Sequence, residues 1–460
     1  MENRPAHPAG ESGALTHLLV ERALDTRHGN LPGDVRTVAR DCLVDWLGCA
    51  LAAIDEPVSG IVADAAREEG GNAQATLLGR PWRGSVAQAA MVNGATSHAL
   101  DYDDVNLAVP GHMSVAILPA VLALAEHRGS PPAEVMAAFV AGYEFACAVG
   151  TLVEPAHYAN GFHATATIGG MGAAVASARL LGLPASQACH AVGIAATQAA
   201  GLKAMFGSMA KPLHAGLAAQ AGLRAALLAS KGLISRPDIL ECHQGFARVH
   251  GADFHADRAH SAPHGGFHLL NNLFKFHAAC YSTHSTIEAV GTLRQAHGIA
   301  ADAVSRIEVV AGEGCSICNI PHPATALEAK FSLRATAAFA MLGIDTGSLE
   351  TWDRVTDAPV ASMIERVDVR LVPGMSLSDS VVTIIHGDGR QATLSHDCGQ
   401  PMADKTAQSV RVFAKFAAIS RQALGDARME RVLPMLQAFE HQADVRALMH
   451  ACSAPAEGTP

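Results

Sequence analysis

Apolar residues recur with helical spacing along the first part of the chain. Val35, Val38, Ala39, Cys42, Leu43, Trp46, Leu47, Ala50 and Leu51 fall on one face of a helix, with Asp34 expected as its N-cap after Pro32-Gly33. The same periodicity predicts helices over 85–100, 115–128, 133–150, 165–182, 186–200 and 212–232. Gly129-Ser130-Pro131-Pro132 and Gly182-Leu183-Pro184 punctuate them. Several of these segments are apolar nearly all round, the pattern of interior helices. The lead-in with Pro5, Pro8 and Gly10 reads as disordered.

Beyond Gly265-Gly266 the period changes from about 3.6 toward 2. Ile307-Glu308-Val309 and Val367-Asp368-Val369-Arg370-Leu371 alternate as strands do. Val381 to Ile385 runs into Gly387-Asp388-Gly389, and Gln391-Ala392-Thr393-Leu394 returns as the second arm of a hairpin. Helices over 283–297 and 325–342 interleave, and helical spacing resumes after Pro401. The predicted fold is mostly α: a large discontinuous all-helical domain, 1–267 plus 400–460, with a smaller α+β domain, 268–399, inserted in it.

Composition narrows the function classes. Of 460 residues, 49% are hydrophobic and 17% charged, so a large core is expected and disorder is not. With 33 Lys+Arg against 43 Asp+Glu the net charge is −10, which argues against nucleic acid or an anionic membrane as partner. The opening Met1-Glu2-Asn3-Arg4-Pro5 lacks an apolar signal region, and no uncharged apolar run reaches the ~18 residues of a membrane span. Ten cysteines in so long a chain do not suggest a disulfide framework, and a cytoplasmic protein is expected. Seven lysines stand beside 26 arginines, none before Lys203, so each lysine is a stronger functional candidate than each arginine.

Walker, kinase, His-Glu-x-x-His and Gly-x-Ser-x-Gly motifs are absent. Gly169-Gly170-x-Gly172 lies within a helical pattern and reads as close helix packing. Cys315-x-x-Cys318 with His322 lacks a second cysteine pair and reads as structural. Four clusters place ionisable groups among small or apolar residues. His98-Ala99-Leu100-Asp101-Tyr102-Asp103-Asp104 precedes Gly111-His112. Its three carboxylates suit either a metal or the orientation of His112; orientation is preferred, with Asp101 expected to face inward, and no metal is assigned. Gly161-Phe162-His163 precedes an Ala/Gly-rich helix. Lys211-Pro212-Leu213-His214-Ala215-Gly216 puts a lysine at a helix mouth, a setting that suits a carboxylate. Lys275, between two phenylalanines, is a further anion-binding candidate, and Cys280, followed by His284, is either a general acid or an inert apolar side chain.

In this order the clusters resemble the MmgE/PrpD family, which includes 2-methylcitrate dehydratase, cis-aconitate decarboxylase and iminodisuccinate epimerase. The resemblance rests on Asn93-Gly94-x-x-x-His98-x-Leu100-Asp101-Tyr102-Asp103-Asp104, Gly161-Phe162-His163, the Lys211–Gly216 motif and Ala329-Lys330-Phe331-Ser332-Leu333. It implies the same two-domain fold, a homodimer and no organic cofactor. It places catalytic roles on Asp101, His112, His163 and Lys211, with Lys275 and Lys211 holding substrate carboxylates. Cys280 stands where the decarboxylases carry a histidine, Met113 replaces a frequent proline, and the Val105–Gly111 loop lacks their His and aromatic residues. The expectation is therefore a cofactor-independent dehydratase of a 2-methylcitrate-like di- or tricarboxylate. An epimerase of a substrate such as iminodisuccinate, or a non-catalytic acid-binding relative, are the alternatives. A histidine with a pKa near neutrality suits removal of a proton α to a carboxylate.

Overall fold

The computed structural model describes residues 15–251 and 253–454, so the lead-in expected to be disordered lies outside the described residues. The protein is mostly helical, with strands confined to small sheets. It divides into two compact units, Met1–Asn272 with Asp404–Pro460, and Leu273–Ala403. The principal helices of the first unit are α1 (Gly33–Ala52), α2 (Val86–Ser97), α3 (Met113–Arg128), α4 (Pro132–Val153), α5 (Gly169–Leu181), α6 (Ala185–Ala196) and α7 (Ala210–Ser230). The second unit runs through α8 (His284–His297), β1 (Val304–Gly312), α9 (Leu333–Leu342), β2 (Val367–Val372), β3 (Asp379–His386) and β4 (Gln391–Asp397). The chain then returns to the first unit as α10 (Lys405–Gln437), interrupted at Gly425.

Local chemistry moves several expected boundaries. Pro32 takes the cap position of α1, leaving Asp34 in its first turn. The segment expected as one helix over 165–182 divides at Ile168 into Ala164–Thr167 and α5. The one expected over 325–342 divides where Ser332 caps α9, its hydroxyl accepting from the Ala335 N–H. A ladder of Ala75–Thr76 with Arg83–Gly84 precedes the expected strand region; two residues per strand leave no alternation to read.

In the first unit, α3, α4 and α5 are buried on nearly every face, as their uniformly apolar sequences require. Among the described residues only α4, or α1 taken with Pro57–Glu69, is long and apolar enough to cross a membrane, and 83% of the apolar window of α4 is buried inside the protein. Helices α2 and α7 approach until a Cβ on Gly216 would lie 2.2 Å from the Met91 carbonyl oxygen, so only glycine fits. Helix α10 lies along α1, where Lys415 meets Asp45 at 2.7 Å and Gln408 and Ser409 donate to Asp41. In the second unit the strand order is β2-β1-β3-β4, with β1 and β2 parallel and the other pairs antiparallel. Ile307, Val309 and Ala311 of β1 alternate onto its buried face, as the sequence spacing predicts, while α8 packs on β3 and β4 and α9 on β2.

Candidate active site

The segment joining α2 to α3 is held by its own polar groups. His98 ends α2, and Asp101 follows in a left-handed turn (φ 51°), a conformation aspartate tolerates better than most residues. His112 caps α3, its backbone N–H donating to Thr165 Oγ1 at 3.0 Å. Between them Asp103 is fully buried and faces an imidazole with each oxygen: Oδ1 lies 2.9 Å from His98 Nδ1 and Oδ2 lies 2.8 Å from His112 Nδ1. The first is a hydrogen bond; the second is a close contact that falls outside hydrogen-bond geometry. Burial alone would raise the Asp103 pKa, but the two imidazoles hold it well below the usual carboxylate range. Burial pushes His98 down to about 4 against the opposing pull of Asp103, so His98 is a neutral donor.

Beyond His112 the chain of contacts continues outward. Asp101 Oδ1 is 3.5 Å from His112 Nε2, and its Oδ2 is 2.9 Å from Lys211 Nζ. Asp101 was expected to face inward, yet its side chain is 51% exposed while Asp103 and Asp104 are buried. The left-handed turn swings Asp101 to the mouth of the cluster. Lys211 and His214 sit three residues apart on the first turn of α7, hence on one face. The ring of His163 stacks at 5.9 Å on that of His98, and its Nδ1 lies 3.1 Å from His214 Nδ1. Phe206 meets His163 edge-on at 5.1 Å and lies under the Lys211 ammonium, also at 5.1 Å. Burial, followed by the nearby His98, His112, Lys211 and His214, pushes His163 down to about 2.

A second layer of buried charge stands behind the segment. Lys415 Nζ is 2.7 Å from both Asp45 Oδ1 and the Tyr102 carbonyl oxygen, and lies over the Tyr102 ring. Asp104 accepts from Ser114 Oγ at 2.8 Å, and burial together with Asp45 and Asp103 pushes it up to about 8. These surroundings favour its neutral acid form.

His98, Asp101, Asp103 and His112 each present a ligand-type atom within 4.8 Å of one another. The same four residues contact one another in a chain that ends at Lys211. Cys315 and Cys318 are buried in an apolar cluster of the second unit, whereas His322 is exposed and pairs with Glu365, so these three do not converge. A cavity of about 460 Å³ opens elsewhere in the first unit and contains none of the cluster. Its polar residues clamp the chain instead: Glu144 accepts the His268 and Leu269 N–H groups, and Arg258 donates to the Thr151 and Glu154 carbonyls.

The structure thus brings together Asp101, His112, His163 and Lys211 of the expected residues, and adds His98, Asp103, Phe206, His214 and Lys415. Lys275 and Cys280 belong to the second unit, on one segment ahead of α8. Lys275 is buried, and Cys280 packs beside Cys318, whose thiol is pushed up by its hydrogen bond to Cys280 and by burial. His284, the first residue of α8, is buried and held well below its usual pKa by burial, then by His277 and Lys275.

A helical unit with a braced pair of histidines beside a lysine is the arrangement of acid/base chemistry on an anion. Family comparison is specific: the MmgE/PrpD N-terminal domain matches residues 18–259, and the MmgE/PrpD C-terminal domain matches residues 277–438. The chain belongs to the MmgE/PrpD family. It is 30% identical over 299 residues to a cis-aconitate decarboxylase-like protein, oryM, of Aspergillus oryzae, covering 62% of each chain. It is 28% identical over 364 residues to the cis-aconitate decarboxylase of Homo sapiens, covering 75% of this chain and 74% of that one. To the cis-aconitate decarboxylase of Aspergillus terreus it is 28% identical over 300 residues, covering 62% of this chain and 60% of the relative. The chain therefore spans less than two thirds of the length of both Aspergillus relatives.

Proposed function

We propose that the protein is a lyase that acts on a di- or tricarboxylate through a carbanion α to a carboxylate, with no organic cofactor. Dehydration of a 2-methylcitrate-like hydroxy acid is the preferred reaction. The observation that carries this reading is the unequal bracing of the two histidines. His163 has its Nδ1 paired with His214 and its Nε2 open, and burial with four neighbouring basic groups keeps the ring neutral, so it acts as a base only once a bound anion offsets those groups. His112 has a carboxylate beside each ring nitrogen, a setting that suits a group delivering a proton. Paired groups whose surroundings differ in this way divide the acid and base roles.

In the proposed reaction His163 Nε2 removes the proton α to a carboxylate. Lys211 takes up the negative charge that develops on that carboxylate, exchanging Asp101 for substrate. The electron pair then forms the carbon–carbon double bond as the β-hydroxyl leaves, protonated by His112 as water. Exchange of protons with solvent restores both rings. A bound polyanion adds negative charge beside His163 and so strengthens it as a base in the complex. The role of Lys275 in carboxylate binding rests on the family resemblance, and that of Cys280 in proton delivery on its thiol alone.

The named relatives favour a second reading, decarboxylation, which also passes through a carbanion. Incubation with a panel of hydroxy- and unsaturated polycarboxylates in deuterated water, followed by proton NMR, separates the possibilities. Dehydration yields an alkene and water. Decarboxylation releases carbon dioxide and leaves deuterium on the carbon that lost it. Epimerisation exchanges the α-proton with no change of composition. If no acid in the panel exchanges or turns over, the enzymatic reading fails and an acid-binding role remains.

A further inference from the structure

We infer that His214 is a positioning residue: by pairing its Nδ1 with Nδ1 of His163, it selects the tautomer in which His163 Nε2 is bare and able to accept a proton. The inference deepens the reading of His163 as the base and rests on it. Two Nδ1 atoms 3.1 Å apart cannot both carry hydrogen, nor can both be bare and still bond. With two neutral rings, one Nδ1 donates and the other accepts.

If His163 donates, its proton is on Nδ1 and Nε2 offers a lone pair. If His214 donates, His163 holds its proton on Nε2 and can only give one away. His163 Nε2 has no hydrogen-bond partner among the described residues, yet it is not sealed from solvent. The open nitrogen is therefore the reacting one, and Nδ1 is the one held by the protein. The second ring to decide the tautomer is His214, because His98 and Phe206 touch His163 through ring faces and edges. When Nε2 takes a proton, the Nδ1–H···Nδ1 bond gains a charged donor and strengthens, which is how an acceptor at this position favours the protonated state.

The backbone keeps the two rings together. The His163 N–H donates to the Gly201 carbonyl at 3.0 Å. A Cβ on Gly201 (φ 140°) would lie 2.7 Å from Ala166 Cβ, and also within 3.4 Å of His214 Nδ1, so a larger residue would crowd the pair. The Lys-x-x-His spacing then has a physical meaning. One face of the first turn of α7 sends Lys211 to Asp101 and His214 to His163.

The test is nitrogen-15 NMR of histidine-labelled full-length protein, with the His163 signals assigned by their loss in His163→Gln. Wild-type His163 is expected to show a protonated Nδ1 and a bare Nε2. His214→Phe keeps a ring of similar size but no acceptor, and is expected to move the proton of His163 to Nε2 or to a mixture of the two. Once a substrate is known, kcat of His214→Phe should fall roughly 10- to 100-fold, the size of a hydrogen bond to a charged group, with KM little changed. His214→Asn, whose amide oxygen accepts from Nδ1–H, should restore most of the loss. An unchanged His163 tautomer in His214→Phe overturns the inference. The base reading fails separately, if His163→Ala retains turnover.

Discussion

Asp104→Asn isolates a buried acid whose proton the fold retains. Burial, with Asp45 and Asp103, lifts its pKa from 3.8 to about 8, so the native carboxyl is neutral near pH 7 whereas the unfolded one is ionised. The folded state then binds more protons than the unfolded state, and stability falls as pH rises from about 4 to about 8. The full span of about four pH units at ~1.4 kcal/mol each sets a ceiling of about 6 kcal/mol. Between pH 6 and pH 8 the ceiling is about 3 kcal/mol, and water penetration and relaxation leave about 1–2 kcal/mol. Asparagine imitates the neutral carboxyl, including the acceptor used by Ser114 Oγ, but has no proton to lose. Calorimetric Tm of the wild type should therefore fall more steeply from pH 6 to pH 8 than that of Asp104→Asn, by about 1–3 °C. Asp41, pushed up to about 6 by burial, and Glu144, pushed up to about 7 by burial, titrate in both proteins and cancel in the comparison. Parallel Tm curves would show that Asp104 is ionised in the native state, refuting its assignment as a neutral acid.

His163→Ala and His112→Ala should each lower kcat by about 10²–10⁴-fold with circular dichroism unchanged, the usual weight of one acid/base group. Lys211→Ala should lower kcat more than it raises KM, because the ammonium acts where charge accumulates, and Lys211→Arg should not restore it; a pure KM effect would assign Lys211 to ground-state binding. Turnover should survive EDTA, since Asp101 is paired with Lys211 and Asp103 with His98; loss of activity restored by a divalent ion would make the carboxylates a ligand set. Light scattering is expected to give twice the chain mass, and a monomer at micromolar concentration would refute the dimer that the family resemblance implies.

The fold was legible wherever one periodicity ran long enough. The apolar face of α1 and the alternation of β2 and β3 needed only local order, and both lie where the spacing puts them. The divisions at Ile168 and Ser332 were hidden because a single cap does not disturb the spacing on either side. Within the site, Asp101, His112, His163 and Lys211 could be named because each stands in a recognisable motif. Their partners could not. Nothing local separates Asp101 from Asp103 within a run of carboxylates in a loop; only the folded turn makes Asp103 the buried one. Lys415 meets Asp45 across 370 positions, and on its own helix it reads like any solvated lysine. His214 was part of a quoted motif, but its meeting with His163 across 51 positions depends on how α7 packs.

The arrangement of buried charge explains why a site should carry so much of it. Buried ion pairs seldom stabilise a fold, because desolvation offsets their attraction. Here their placement is specific. Along one short segment, the Tyr102 carbonyl is held by Lys415, Asp103 by two imidazoles, and Asp104 by Ser114. The Asn106 amide donates to both Tyr143 Oη and the His268 carbonyl. The attachments reach both flanking helices, α4, α10 and the His268 segment, so no single helix can shift the segment alone. Such bracing holds His112 in position in the absence of any ligand, and in the proposed reaction that preorganisation is where much of the rate would originate. Asp101 is placed differently: half-exposed at the left-handed turn, its carboxylate meets Lys211 at the surface. An incoming carboxylate can replace Asp101 at Lys211 at little cost in desolvation, because that pair is already partly wet. In the proposed reaction the fixed groups set the geometry of proton transfer, and the exchangeable Asp101–Lys211 pair admits the anion.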